Sequence, residues 1–219
     1  MEILKTAAEA FHGGGFFMWP ILLTSILGVA LCIERFFYIT VSASVRKEEF
    51  LNKVNQQILQ GNLERAIAVC TQTQSPLTRI VKAGLVAVAN HQDVEEVQTA
   101  MDAVALREIP RIEKRTGLLA MLSNLATLLG LLGTITGLIG AFAAVANVSP
   151  AEKATLLAAS IAEAMNCTAF GLIVAIPLLA VFGYLQSMSQ SVVDDLHEAS
   201  VATLNFILSN RDKFAMVRR

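Results

Sequence analysis

Ile161-Ala-Glu-Ala-Met-Asn-Cys-Thr-Ala-Phe-Gly-Leu-Ile-Val-Ala-Ile-Pro177 reads as hydrocarbon with one charge set in it. Glu163 is the only Asp, Glu, Lys or Arg between Lys153 and Asp194. A stretch of this length and character predicts a helix that crosses a membrane, for which about 20 largely apolar residues suffice. A carboxyl at bilayer depth costs roughly 2.5–3.5 kcal/mol on the lenient insertion scales, so it is ordinarily turned inward and marks an ion or proton path. The alternative is a structural carboxyl paired to a neighbouring helix.

Two further stretches share this character. No charged residue lies between Glu9 and Glu34, or between Arg115 and Glu152. The expectation is an all-α membrane protein with three transmembrane helices at 16–38, 118–146 and 155–187, joined by a 42–117 region and a short 147–153 link. The first span is expected to be retained, since Glu2 and Glu9 outnumber Lys5 ahead of it and no small-residue cleavage site closes it before Glu34-Arg35. Three crossings place the termini on opposite sides.

The net charge of −1 conceals a strong asymmetry. Arg46, Lys47, Lys53, Arg65, Arg79, Lys82, Arg107, Arg111, Lys114 and Arg115 fall in 42–117, and Arg211, Lys213, Arg218 and Arg219 in the 188–219 tail. By the positive-inside rule both regions are cytoplasmic, whereas the 1–15 segment and the link, with Lys5 and Lys153, face outward. Phe16, Phe17 and Trp19 at one end of the first span and Phe36, Phe37 and Tyr38 at the other have the character of interfacial belts.

The cytoplasmic region is expected to be helical throughout. Phe50, Leu51, Val54, Ile58 and Leu59 recur at helical spacing, with a break at Gly61-Asn62 before Leu63, Ala66, Ile67 and Cys70 resume it. Ser75-Pro76 predicts an N-cap with proline in the first turn of a helix reaching about Asn90. Asp93 with Glu96, and Ser149 with Glu152, predict capping boxes. From the first of these, helical pattern runs into the second span with Pro110 as the only interruption; a continuous 94–146 helix would be about 80 Å long. The third span continues likewise through Val192, Val193, Leu196, Ala199, Phe206 and Ile207. Two spans thus extend into a cytoplasmic helical bundle.

Gly130, Gly133, Gly137, Gly140, Ala144 and Asn147 line one stripe of the second span, and Ala164, Thr168, Gly171 and Ala175 line one of the third. In lipid, where packing drives helix association, such stripes let backbones approach closely. They fit contact between the two spans of one chain or between subunits.

Gly130-Leu-Leu-Gly-Thr-Ile-Thr-Gly-Leu-Ile-Gly-Ala-Phe142, Ser160 through Pro177, and Glu34-Arg35-Phe36 together resemble the ExbB/TolQ/MotA proton-channel family. The three-span layout is similar to its ExbB/TolQ branch, and Gly133-Thr-Ile-Thr-Gly137 is most similar to ExbB. The resemblance implies an oligomeric pore in a bacterial inner membrane. Five copies would surround two copies of an ExbD- or TolR-like single-span protein with a transmembrane Asp. The assembly would be a stator, driven by proton-motive force, that works on a TonB- or TolA-like protein. By matching position, Thr134, Glu163 and Thr168 would line the ion route. Asn166 and Cys167 depart from the family's usual small or apolar residues, which leaves proton and sodium both open.

Read on their own, the hydroxyls of Thr134 and Thr168 can pass a proton or hold a water, or bond their own backbone one turn earlier. Thr168 follows Glu163 by five residues, so the two point to different sides of the helix. Pro177 frees the carbonyl of Ile173 and is either a hinge or a tolerated kink. Cys32, Cys70 and Cys167 lack metal or disulfide spacing, His12, His91 and His197 are isolated, and Gly130-Leu-Leu-Gly-Thr lacks the lysine of a phosphate loop. No enzyme chemistry, metal, cofactor or nucleic-acid partner is expected; lipid is. Two other functions remain in view, a non-conducting scaffold or sensor with a structural Glu163, and a small secondary transporter, which would want an internal repeat.

Overall fold

The structure, a computed structural model, describes residues 15–42, 46–146 and 148–210. Its helices are α1 (Met18–Ser42), α2 (Lys47–Leu59), α3 (Leu63–Gln72), α4 (Pro76–Ala89), α5 (Val94–Glu113), α6 (Thr116–Val145) and α7 (Pro150–Ser209). No strand occurs among the described residues. Stretches in Met18–Val41, Val94–Val145 and Ala151–Ser209 are long and apolar enough to cross a membrane. Lys5, Glu9, His12, Asn147 and the basic residues from Arg211 onward lie outside the described residues.

Two compact units emerge. One combines the described part of Met1–Arg35 with Arg115–Tyr184, and the other combines Phe36–Lys114 with the described part of Leu185–Arg219. In the first unit, α1, α6 and the first part of α7 bury Met18, Ile21, Leu119, Ala126, Ala164, Cys167, Val174 and Ala175. Contact is made by small residues. A Cβ added at Gly28 would stand 2.7 Å from the Leu178 methyls, and one at Gly171 would stand 2.7 Å from the Ala126 carbonyl oxygen. Large side chains point away, including Phe16 at 77% exposure, Ile139 at 64% and Ile173 at 66%. A soluble core would hide such residues; hydrocarbon accepts them.

The second unit has an ordinary apolar core of Ile39, Val54, Ile58, Ile80, Leu85, Met101, Ile112 and Leu185. Its loops follow the sequence signals. Gly61 has φ 74 at the α2–α3 break, Ser75 and Thr78 form a reciprocal capping box opening α4, and Asp93 and Glu96 do the same for α5. Ion pairs tie elements together: Lys47 Nζ donates to Asp195 at 2.7 Å and Glu198 at 2.6 Å, and buried Glu108 accepts from Arg79 at 2.9 Å and Arg111 at 3.1 Å.

Two local expectations need correction. Pro110 does not interrupt the helix leading to the second span; it lies inside α5, and the Lys114 N–H still donates to its carbonyl at 2.8 Å. The break comes at Lys114–Arg115, where Arg115 takes φ 70. A left-handed residue turns the chain out of a helix, at a cost of about 1–2 kcal/mol for a non-glycine. Arg115 Nη1 there donates to Glu34 Oε1 at 2.7 Å, and Arg35 donates to the same oxygen at 3.0 Å. The continuous 94–146 rod is therefore two helices. At Ser149, the hydroxyl donates to Glu152 Oε2 at 2.9 Å, while the Glu152 and Lys153 amides go to the Ser149 carbonyl. The two side chains bond each other in place of the expected reciprocal box.

Candidate functional site

The glycine stripe of α6 faces α7. A Cβ at Gly130 would lie 3.2 Å from both the Cys167 carbonyl oxygen and Thr168 Cα, one at Gly133 would run into Cys167 Sγ, and one at Gly137 would come within 2.9 Å of Ala164 Cβ. Gly171 of α7 returns the approach, 3.1 Å from Gly130 Cα by the same measure. Only glycine lets the two backbones come this near. Gly140 is different: nothing lies within 4 Å of its would-be Cβ. The intrachain reading thus describes Gly130, Gly133 and Gly137 but not Gly140.

Close approach brings two hydroxyls to one acceptor. Thr134 Oγ1 donates to its own Gly130 carbonyl at 3.1 Å, and Thr168 Oγ1 donates across the interface to that carbonyl at 2.9 Å. The two hydroxyls also touch each other, and since each has a single proton, one of them donates to the other only by releasing the carbonyl. Both threonines are half-buried. Deeper along the interface, the buried Ser123 hydroxyl donates to the Ala175 carbonyl at 2.7 Å. Each hydroxyl is both donor and acceptor, so the threonine pair can relay a proton or hold the two helices together.

Glu163 stands apart from this pair. It is exposed, and among the described residues no side chain pairs with it. Gly15 lies beside it, where an added Cβ would stand 2.8 Å from Glu163 Oε1. Asn166 is half-buried, and Pro177 is exposed within the unbroken span of α7. Of the residues marked in the sequence, the fold therefore joins Thr134, Thr168 and three glycines, and leaves Glu163, Asn166, Pro177 and Gly140 outside that cluster.

Three features escaped the sequence reading. The Ser123 bond has no motif, since a serine in a span gives no hint of its acceptor. The Glu34–Arg115 pair joins residues far apart in the chain; both stand at the ends of charge-free stretches, which was the available signal. Gly15 has φ 74 and follows Gly13 and Gly14, a triplet that marks permissive backbone before the first span. Among the described residues no group of His, Cys, Asp and Glu is arranged to hold a metal.

Residues 72–198 match the MotA/TolQ/ExbB proton channel family. A protein of Methanothermobacter thermautotrophicus, described as an ExbB homolog of biopolymer transport, is 27% identical over 197 residues, covering 90% of this chain and 68% of its own length. The family match takes in more than half of the sequence and includes α6, with its glycine stripe, and the membrane part of α7, with Glu163 and both threonine partners' contact surface. With three helices apolar enough to cross a membrane around that core, the chain belongs to the MotA/TolQ/ExbB proton channel family, on its ExbB-like side.

Proposed function

We propose that this chain is the channel subunit of a proton-motive-force-driven stator, in which Glu163 exchanges the coupling ion and the Thr134–Thr168 pair lines its route. The carrying observation is that Glu163 is exposed and no side chain of its own chain pairs with it among the described residues. A carboxyl kept only to join helices would need such a partner, because an unpaired charge in hydrocarbon is costly. A carboxyl that serves a second protein has reason to stay open.

One charge crossing 100 mV gains about 2.3 kcal/mol, enough to shift a two-state packing equilibrium by roughly fifty-fold. One acid in the span does not make a relay, so the working assembly brings another: five copies of this chain around two single-span partners, each with a transmembrane Asp. The same reading puts the N-terminus in the periplasm and the C-terminus in the cytoplasm of an inner membrane. It favours TonB-type energy transduction, with Tol-type or gliding-type motors as variants set by the partner.

Native mass spectrometry of the chain, gently extracted with its companions, tests the assembly. Five copies with two copies of a single-span protein are expected; a monomer or dimer without such a companion would overturn it. Glu163→Gln tests the site, with loss of coupled ion flux expected and retained flux pointing to a structural Glu163 outside the ion path.

A further inference from the structure

The first span reaches the ion path through its backbone. Gly15 sits just ahead of α1, with its carbonyl accepting from the Met18 amide at 3.3 Å. Its φ of 74 lies in the left-handed region that favours glycine. Glu163 Oε1 occupies the space that a side chain at position 15 would need, 2.8 Å from an added Cβ. Two residues on, Phe17 packs beside Gly133, with its Cβ 3.3 Å from the space a side chain there would fill. The start of α1 is thus docked against α6 and α7 at the level of Glu163 and Cys167.

Among the described residues no competing charge stands near Glu163: α6 has none between Arg115 and Glu152, α1 none before Glu34, and α7 none nearer than Lys153. Cys167, the neighbouring titratable group on α7, is buried over Gly133.

We propose that Gly15 is a positioning residue for the Glu163 carboxyl, a side-chain-free cradle that seats the acid against the start of α1. This inference rests on the reading of Glu163 as the exchanging acid. It assigns the first span a part in the ion path beyond anchoring the chain. A side chain at position 15 displaces the far end of a flexible glutamate, so the fold survives while the acid loses its seat. The displaced acid swings away from α1 and is left more open to a reagent arriving from the lipid.

The test is the rate at which an apolar carbodiimide, which reacts with protonated carboxyls, labels Glu163 in the full assembly in its own membranes. Labelling is read by mass spectrometry beside coupled ion flux. Gly15→Ala is expected to label severalfold faster than wild type and to reduce flux. Gly15→Asn separates contact from backbone strain, because asparagine tolerates the left-handed region while its Cβ still meets the carboxylate. It is expected to label fast too. Gly140→Ala, with open space around it, is expected to match wild type. Wild-type labelling in Gly15→Asn overturns the cradle, including where Gly15→Ala fails to assemble. Fast labelling together with normal flux in Glu163→Gln supports the cradle and overturns the assignment of Glu163 to the ion path.

Discussion

The two units hold their helices together by opposite means. In the unit of α1, α6 and early α7, contact comes from the absence of side chains, with Gly130 and Gly171 backbone to backbone and hydroxyls bonding across. In the unit of α2 to α5 and late α7, contact comes from large side chains, such as Met101 packed over Gly84 and Ile58 and Ile80 fully buried, with ion pairs at the margin. Water explains the difference. Burying Met101 removes apolar surface from water at about 25 cal/mol per Å², whereas a leucine in lipid gains nothing by leaving it, so close packing and hydrogen bonds must carry association.

The largest effect is expected where no atom can yield. Gly171→Leu places a side chain against the Ala126 carbonyl and Gly130 Cα, both backbone. Overpacking of this kind costs about 1–3 kcal/mol even where neighbours can move, so the expected outcome is loss of assembled protein in detergent extracts. Gly140→Ala should leave yield and melting temperature unchanged. Equal behaviour of the two variants would break the claim that the stripe works by close approach.

Glu108→Ala addresses the other unit. The carboxylate is 4% exposed and bonded to two arginines that are themselves about half exposed, 45% and 54%. Those arginines can rehydrate, so the loss falls below that of a fully buried pair, at about 1–2 kcal/mol. Faster hydrogen exchange is expected in α4 and α5, with α6 unchanged.

Alkali separates the units further. Burial pushes the Cys70 thiol up to about 12 from 9.0. The folded chain keeps a proton that the unfolded chain releases above pH 9.0, so stability contributed here falls as pH rises from 9.0 to about 12. Bonds to Asp195 and Glu198 raise Lys47 above its ordinary 10.5; its contribution is complete below 10.5 and is lost as pH passes its folded value. The unfolding free energy of the α2–α5 region, read from denaturant titrations, should therefore drop with alkali by on the order of 1 kcal/mol, and Cys70→Ala should flatten the part between 9.0 and 10.5.

Legibility in the sequence followed the same division. The α4 and α5 caps were readable because Ser75-Pro76 and Asp93 with Glu96 act within one turn. The glycine stripe was readable because its spacing is helical. The break at Arg115 was not, because an arginine there gives no propensity signal and its partner Glu34 lies far away in the chain. For the same reason, that Thr168 faces Gly130 while Glu163 meets Gly15 required the fold. Spacing separated the two residues' directions but named neither neighbour.

The smallest expected effect bears most directly on function. Ser123→Ala removes one buried bond to the Ala175 carbonyl, and in membranes such bonds average about 0.6 kcal/mol. Thr168→Val removes a comparable bond to Gly130 at nearly constant shape, so both variants should assemble with similar, slightly lowered melting temperatures. If these hydroxyls are only glue, flux should fall little and equally in both. If the threonine pair lines the ion route, Thr168→Val should lose flux out of proportion to its stability, Ser123→Ala should not, and Thr168→Ser, which keeps the hydroxyl, should recover it. Two changes alike in energy and unlike in flux would separate the hydroxyls that hold the helices from those that serve the ion.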